Sequence, residues 1–147
     1  MTKSIGAEKL LTINVKHTIN TMQTIARIVD LYPPHQQAQV RIQISETLKG
    51  VLSQRLIPCT KGGRVPAVEV MMITPHIKKM IMENNMEAIN QAIAKGSFYG
   101  MQTFNQSLVK LYKSQIAKLD DVIAAASNPD DVLLAIKGIE QEIETKK

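Results

Sequence analysis

Histidines, a lone cysteine and paired carboxylates are the residues of this chain whose chemistry could amount to a site. His17 and Thr18 follow the apolar run Leu10–Val15 and precede an amphipathic stretch. A polar pair at that point matters because ligands of α/β proteins collect beyond the carboxyl ends of parallel strands. An imidazole there could donate a hydrogen bond to a phosphate oxygen near neutral pH, and it could equally cap the helix that follows. His35 and His76 each follow a proline suited to the first position of a helix, and both read as solvated. No two histidines have the i, i+4 spacing of a metal site and Cys59 has no ligand-type neighbour, so no metal is expected. The single cysteine also rules out an internal disulfide, and its place between Pro58 and Gly62-Gly63 suits an inert surface thiol. Asp120-Asp121 and Asp130-Asp131 fall in the first turns of expected helices, where negative charge offsets the helix dipole without any catalytic role. The pattern GxxxxGK[ST] does not occur in these 147 residues, so they encode no backbone nest for a triphosphate.

The elements that would position these groups follow from periodicity. Ile19, Met22, Ile25, Ala26 and Val29 recur at helical spacing, and Pro33-Pro34 ends that helix. Pro34 opens a second helix whose face is marked by Val40, Ile44, Leu48 and Val51, with Ala38 and Ile42 beside it. The runs 53–58 and 64–73 flank Cys-Thr-Lys-Gly-Gly in the form of a β-hairpin. In its first strand Arg55 alternates with Leu56, so the arginine is expected away from the apolar side. Glu69 is a candidate partner across the hairpin, worth under about 1 kcal/mol if exposed. Thr74-Pro75 starts a helix through "PHIKKMIMEN"; a further helix, "MEAINQAIAK", ends at Gly96. A glycine-hinged turn then leads to a helix with Phe104, Leu108, Leu111 and Tyr112 inward. Another helix covers 120–126, and Asn128-Pro129 caps the last, with Val132, Leu133, Ile136, Ile139 and Ile143 in one stripe. Of the methionines at 71, 72, 80, 82 and 86, Met80 and Met82 cannot both face the core from one helix. The predicted class is α/β and helix-rich, and the lone strand Leu10–Val15 lacks parallel neighbours, as at the back end of something larger.

Composition narrows the function classes. A charged fraction of 21% and 44% hydrophobic residues fit one globular domain rather than a disordered chain. No apolar run approaches the roughly 18 residues that cross a bilayer, and the start "MTKSIGAEK" lacks a signal-peptide core, so a cytoplasmic chain without direct membrane insertion is expected. Residues 1–113 carry 14 Lys and Arg against 6 Asp and Glu, whereas residues 114–147 carry 4 against 7. The basic residues are scattered singly and aromatics are scarce, so nucleic acid is not an expected partner. A basic face meeting nucleotide phosphates or an acidic neighbouring subunit explains the charge as well.

Four tracts, in order, add a family. "ISETLKGVLSQRLIP" (44–58), "GRVPAVEVMMITP" (63–75), "GMQTFNQSL" (100–108) and "AASNPDDV" (125–132) resemble the C-terminal half of PilT-type twitching-motility ATPases, the type IV pilus motors of the secretion-ATPase superfamily. The resemblance implies the C-terminal part of a RecA-like P-loop ATPase domain, with a β-hairpin and a terminal helical subdomain. Residues 1–58 would then end the ATPase core, and 59–147 would complete the hairpin and form the helical subdomain. His17 and Thr18 align with the family's nucleotide-proximal histidine box, where Lys16 replaces an apolar residue. Arg27 matches an arginine of the following helix and is an intersubunit candidate. "HIKKMIME" aligns with the family's pilus-retraction element: Ile77, Ile81 and Glu83 are retained, Lys78 stands where arginine is usual, and His76, Lys79, Met80 and Met82 depart from the pattern. Complete members use ATP and Mg2+ and form hexameric rings in the cytoplasm, peripheral to the inner membrane and its pilus-base platform proteins. The P-loop and the acidic magnesium-holding stretches lie upstream of the histidine box, so this chain is expected to be a fragment that needs no cofactor and does not hydrolyse ATP alone. The alternative is a stand-alone, non-catalytic interaction module that regulates a pilus or secretion ATPase.

Overall fold

The computed structural model describes residues 20–144. The predicted strand Leu10–Val15, His17 and Thr18 lie outside the described residues.

Helix α1 (Thr21–Asp30) begins at Asn20, whose side-chain oxygen accepts the Gln23 N–H at 2.9 Å, and it buries Ile25 and Val29. Helix α2 (Pro34–Thr47) buries Val40. It stops at Thr47, earlier than the periodicity suggests, because Leu48 turns to extended backbone at ψ 135°. Val51 therefore belongs to the next strand. Strands β1 (Gly50–Pro58) and β2 (Arg64–Met72) pair antiparallel from Gly50 opposite Met72 to Pro58 opposite Arg64. Gly62 and Gly63 turn the hairpin at φ 90° and 75°, values other residues rarely adopt.

Helix α3 (Pro75–Met82) is capped by Thr74 and α4 (Met86–Lys95) by Asn85. A 3₁₀ turn (Ser97–Tyr99) and Gly100, at φ 73°, reverse the chain into α5 (Phe104–Lys113). Helices α6 (Leu119–Ala125) and α7 (Pro129–Glu144) complete the order. Their first turns carry Asp120-Asp121 and Asp130-Asp131. The helix-rich α/β architecture anticipated from the sequence is the one observed.

The buried residues form two clusters. The first joins α1–α4 to one end of the hairpin through Ile25, Val29, Met71, Ile77, Ile81 and Ile89. The second joins α5–α7 to the other end through Ile57, Ala67, Phe104, Leu108, Val122 and Val132. One face of the hairpin serves both, carrying Val51, Ser53, Arg55 and Ile57 opposite Met71, Glu69, Ala67 and Val65. Arg55 thus points inward, opposite to the expectation, while Leu52 and Leu56 are 67% and 55% exposed. The reversal has a physical cause: Arg55 finds an aromatic ring, a carbonyl and a hydroxyl acceptor beneath the sheet, which its neighbour Leu56 could not use as a hydrogen-bond donor. Met80 is buried and Met82 is exposed, as helical geometry demanded.

Candidate functional site

Midway along the inner face, between the two apolar clusters, lies a polar belt of Ser53, Glu69 and Arg55. Glu69 is only 5% exposed, and its Oε1 accepts the Thr21 N–H at 2.7 Å. The carboxylate therefore sits at the positive end of α1, where an anion is favoured. Arg55 Nη1 donates to the Ala125 carbonyl at 2.6 Å, and Nη2 donates to Ser127 Oγ at 3.1 Å. Its guanidinium carbon stands 4.1 Å from the centroid of the Phe104 ring. Burial lowers the Arg55 pKa by penalising the charged form, and the nearby Glu69 charge opposes that shift. The guanidinium nonetheless remains a cation at neutral pH. It acts as a bolt from the hairpin into the C-terminal end of α6, where carbonyl groups favour positive charge.

The residues of the tract 100–108 surround this bolt. Gln102 exchanges backbone hydrogen bonds with Val70 at 2.9 and 3.0 Å. Its side chain donates to the Val68 carbonyl at 3.0 Å and accepts from Lys110 Nζ at 2.8 Å. Ser107 Oγ accepts the Val68 N–H. Thr103 and Gln106 form a reciprocal cap at the start of α5, and Gln106 also reaches the Ala94 carbonyl at 2.8 Å. Asn105 clasps the tract 125–132: its Nδ2 donates to the Asn128 carbonyl, and its Oδ1 accepts the Ser127 N–H. Two tracts that resemblance had singled out are thus brought together by their own polar side chains. Arg55 and Glu69 were legible as a possible pair. The roles of Gln102, Asn105 and Ser127 were missed, and the amide-rich composition of "GMQTFNQSL" was the available signal.

Beside the belt opens a cleft of about 740 Å3, lined among others by Asn20, Glu69, Asn90, Gln102, Lys113 and Asn128. The described chain enters at Asn20 on the rim of this cleft, two residues after Thr18. The described residues do not fit a triphosphate site. Gly62 and Gly63 lie in the hairpin turn, and α1, the helix that follows the histidine pair, meets a carboxylate at its N-terminus. No step of phosphoryl transfer is assigned to them. Among the described residues no three His, Cys, Asp or Glu side chains group as metal ligands, and no helix is long and apolar enough to cross a membrane.

The other sequence-predicted residues fall on two surfaces. Arg27 is exposed in the last turn of α1, where a cation suits the helix dipole. On α3, Ile77, Met80 and Ile81 belong to the core, and Lys78 is half-buried. His76, Lys79, Met82 and Glu83 are exposed, with Lys79 Nζ 3.8 Å from Glu83 Oε1. On α3 this second set is the most accessible to a partner. The helix packs into the first cluster, whereas Arg55 stands over Phe104 of the second.

Comparison with known proteins places this geometry. The fold is that of the C-terminal part of a RecA-like ATPase: 78% of the chain superposes on the crystal structure of the pilus retraction motor PilT with bound ADP, at 40% identity and a TM-score of 0.70, covering 32% of that structure. The Legionella pneumophila ATPase DotB shares the fold at 20% identity and a TM-score of 0.61. In sequence, the chain is 36% identical over 121 residues to the type IV pilus retraction ATPase PilT of Pseudomonas aeruginosa. It is 32% identical over 123 residues to a twitching motility protein of Neisseria gonorrhoeae. These matches take in 82% and 83% of this chain and only 35% and 33% of the relatives, so the chain spans about a third of their length. No family model matches it. The chain is therefore homologous to the C-terminal portion of PilT-type twitching-motility ATPases.

Proposed function

We propose that this chain supplies the C-terminal portion of a type IV pilus retraction motor, and that it works as part of an ATPase ring rather than as a hydrolase by itself. The observation that supports this best is the joint likeness to PilT in sequence and in three dimensions, running through the Arg55 belt and the 100–108 tract. On this reading residues 1–58 end the ATPase core, and residues 59–147 finish the hairpin and form the helical subdomain. His17 and Thr18 stand at the nucleotide edge of that core, beside the ATP and Mg2+ held by the remainder of the motor. Arg27 faces a neighbouring subunit. The exposed side of α3, His76 with Lys79, Met82 and Glu83, is offered to the pilus base or its inner-membrane platform. The motor is cytoplasmic and peripheral to that membrane.

The test is a chimera in which the matching segment of the Pseudomonas aeruginosa retraction ATPase is replaced by this chain. The expected outcome is a ring that hydrolyses ATP and restores twitching to a strain lacking the native motor. A soluble, folded chimera that does neither would overturn the proposal.

A further inference from the structure

We propose that Glu69 is a positioning residue for the nucleotide-edge pair His17 and Thr18: it pins the first residue of α1 to the hairpin and so fixes the point from which the chain runs back to that pair. This deepens the functional reading above and rests on it. The anchor is unusual for a helix start. Glu69 Oε1 accepts the Thr21 N–H at 2.7 Å, a length typical of a charged acceptor, and the two residues are 48 apart in sequence. Glu69 is 5% exposed and Thr21 is fully buried. The first amides of a helix are ordinarily left to water or to a nearby side chain. Here the Asn20 side chain already caps α1 through the Gln23 N–H, yet a strand far along the chain supplies a second acceptor. The Thr21 hydroxyl is buried too and has no hydrogen-bond partner among the described residues. Stopping the helix needs only Asn20; a buried acid, costly to desolvate, is explained by the need to hold the start of α1 in one place.

The platform under the anchor is built to be stiff. On one side of Glu69, Val70 exchanges both backbone hydrogen bonds with Gln102. On the other, Val68 donates its N–H to Ser107, and its carbonyl accepts from the Gln102 side chain. Arg55 is the diagonal neighbour of Glu69 across the hairpin and is itself bonded to Ala125 and Ser127. The carboxylate therefore stands on a strand held in register by polar ties. A group on such an element can place another to within about 0.5 Å.

The leverage is short. Asn20 is extended, at φ −155° and ψ 173°, so the chain leaves α1 without a turn at that residue to absorb a shift. His17 precedes Thr21 by four residues, a reach of at most about 14 Å. A start of α1 displaced by about 1 Å would pass its error to the pair, and a misplacement of that size can cost about 100-fold in rate.

The chimera described above tests this. Glu69→Ala should lower kcat for ATP at least about tenfold and leave KM within about twofold, in rings of unchanged size. Glu69→Gln keeps an acceptor oxygen and should stay within about threefold of the parent chimera. Thr21→Pro removes the donor at the other end. Proline suits both the first position of a helix and the extended residue before it, so the fold should tolerate the change while kcat falls as in Glu69→Ala. This variant carries the test alone should Glu69→Ala fail to assemble. The double variant should be no slower than either single one, because both changes break the same bond. Losses that multiply in the double variant, a Gln variant as slow as the Ala variant, or a rise in KM alone would overturn the proposal. A folded parent chimera that hydrolyses no ATP would sink the functional reading instead. The anchor is then judged in the 147-residue chain by NMR of its three histidines. There Glu69→Ala and Thr21→Pro should each shift the ring C–H signals of His17 and leave those of His35 and His76 unmoved. His17 signals that stay in place in both variants would overturn the proposal however the chimera behaves.

Discussion

The two clusters on either side of the polar belt are held together differently. Around Ile25, Ile77, Ile81 and Ile89 the first cluster is closed by apolar side chains from two helix pairs that the hairpin separates in the chain. The second, around Phe104, Leu108, Val122 and Val132, is smaller and is tied by side chains reaching far along the sequence. Arg55 bonds a carbonyl 70 residues away, Ser107 meets a strand amide 39 residues back, and the Thr60 hydroxyl donates to the Gln115 carbonyl across 55 residues. Apolar contact is forgiving of small shifts, whereas each of these polar ties needs a particular atom within about 3 Å. The second half should therefore be the more brittle one, and its failures should be local to named bonds.

The largest effect should come from Phe104→Ala. The ring is 1% exposed and serves both as core filling and as the platform under Arg55, so its loss should cost about 3–5 kcal/mol in urea denaturation. Ile81→Ala in the first cluster should cost less, about 2–4 kcal/mol, since it removes packing alone. Equal costs would erase the contrast between the halves. Next comes Arg55→Ala, which strands the Ala125 carbonyl and leaves buried Glu69 without its neighbouring cation; about 3 kcal/mol is expected. Arg55→Lys should recover part of this and not all, because an ammonium cannot make the planar fork to two acceptors above a ring.

The pH dependence of that deficit follows from the direction of the Arg55 shift. Burial lowers its pKa in the folded chain, so in the range between the folded and unfolded values the unfolded chain holds more protons. Stability from this group then rises with pH through that range and falls as pH drops through it. The range lies far above neutrality, so the Arg55→Ala deficit should stay flat between about pH 5 and 9. A deficit that varied tenfold in equilibrium constant across that interval would assign the stabilisation to some other group. A smaller effect is expected at Gly100, whose φ of 73° an alanine adopts only with strain: Gly100→Ala should cost about 1 kcal/mol in the same measurement.

The contrast between the halves also decides what could be read from residues alone. Helix starts at Pro34, Thr74-Pro75 and Pro129 followed from the expected proline and threonine positions, the caps Asn20 and Asn85 were not anticipated, and the stripes Ile25–Val29 and Val132–Ile136 reported the core directly. The hairpin was legible from its glycines. Which of its faces turned inward was not, because alternation fixes two sets of residues without saying which set meets the helices. Leu56 looked like the buried side by composition, yet Arg55 had acceptors waiting 70 residues away, and no local pattern announces a contact of that range. The amide network of Gln102, Asn105 and Gln106 was hidden for the same reason: each amide is unremarkable until the groups it reaches are placed around it. His17 and Thr18 lie outside the described residues, so their role rests on the resemblance.

The smallest effect on stability and the most specific effect on function should fall on α3. Its core members, Ile77, Met80 and Ile81, are fixed by packing, but Lys79 and Met82 are exposed and the Lys79–Glu83 pair spans 3.8 Å in water. Such a pair contributes little, so Lys79→Ala and Met82→Ala should each change stability by less than about 0.5 kcal/mol. If the exposed side of α3 is a docking face, the same changes in the chimera should leave ATP hydrolysis within about twofold while shrinking the twitching zone, since a contact made only with the partner is invisible to the chemistry. Ile81→Ala would be expected to reduce both, through unfolding. Twitching unaffected by Lys79→Ala together with Met82→Ala would move the docking surface off this helix and leave α3 as a core element of the first cluster and nothing more.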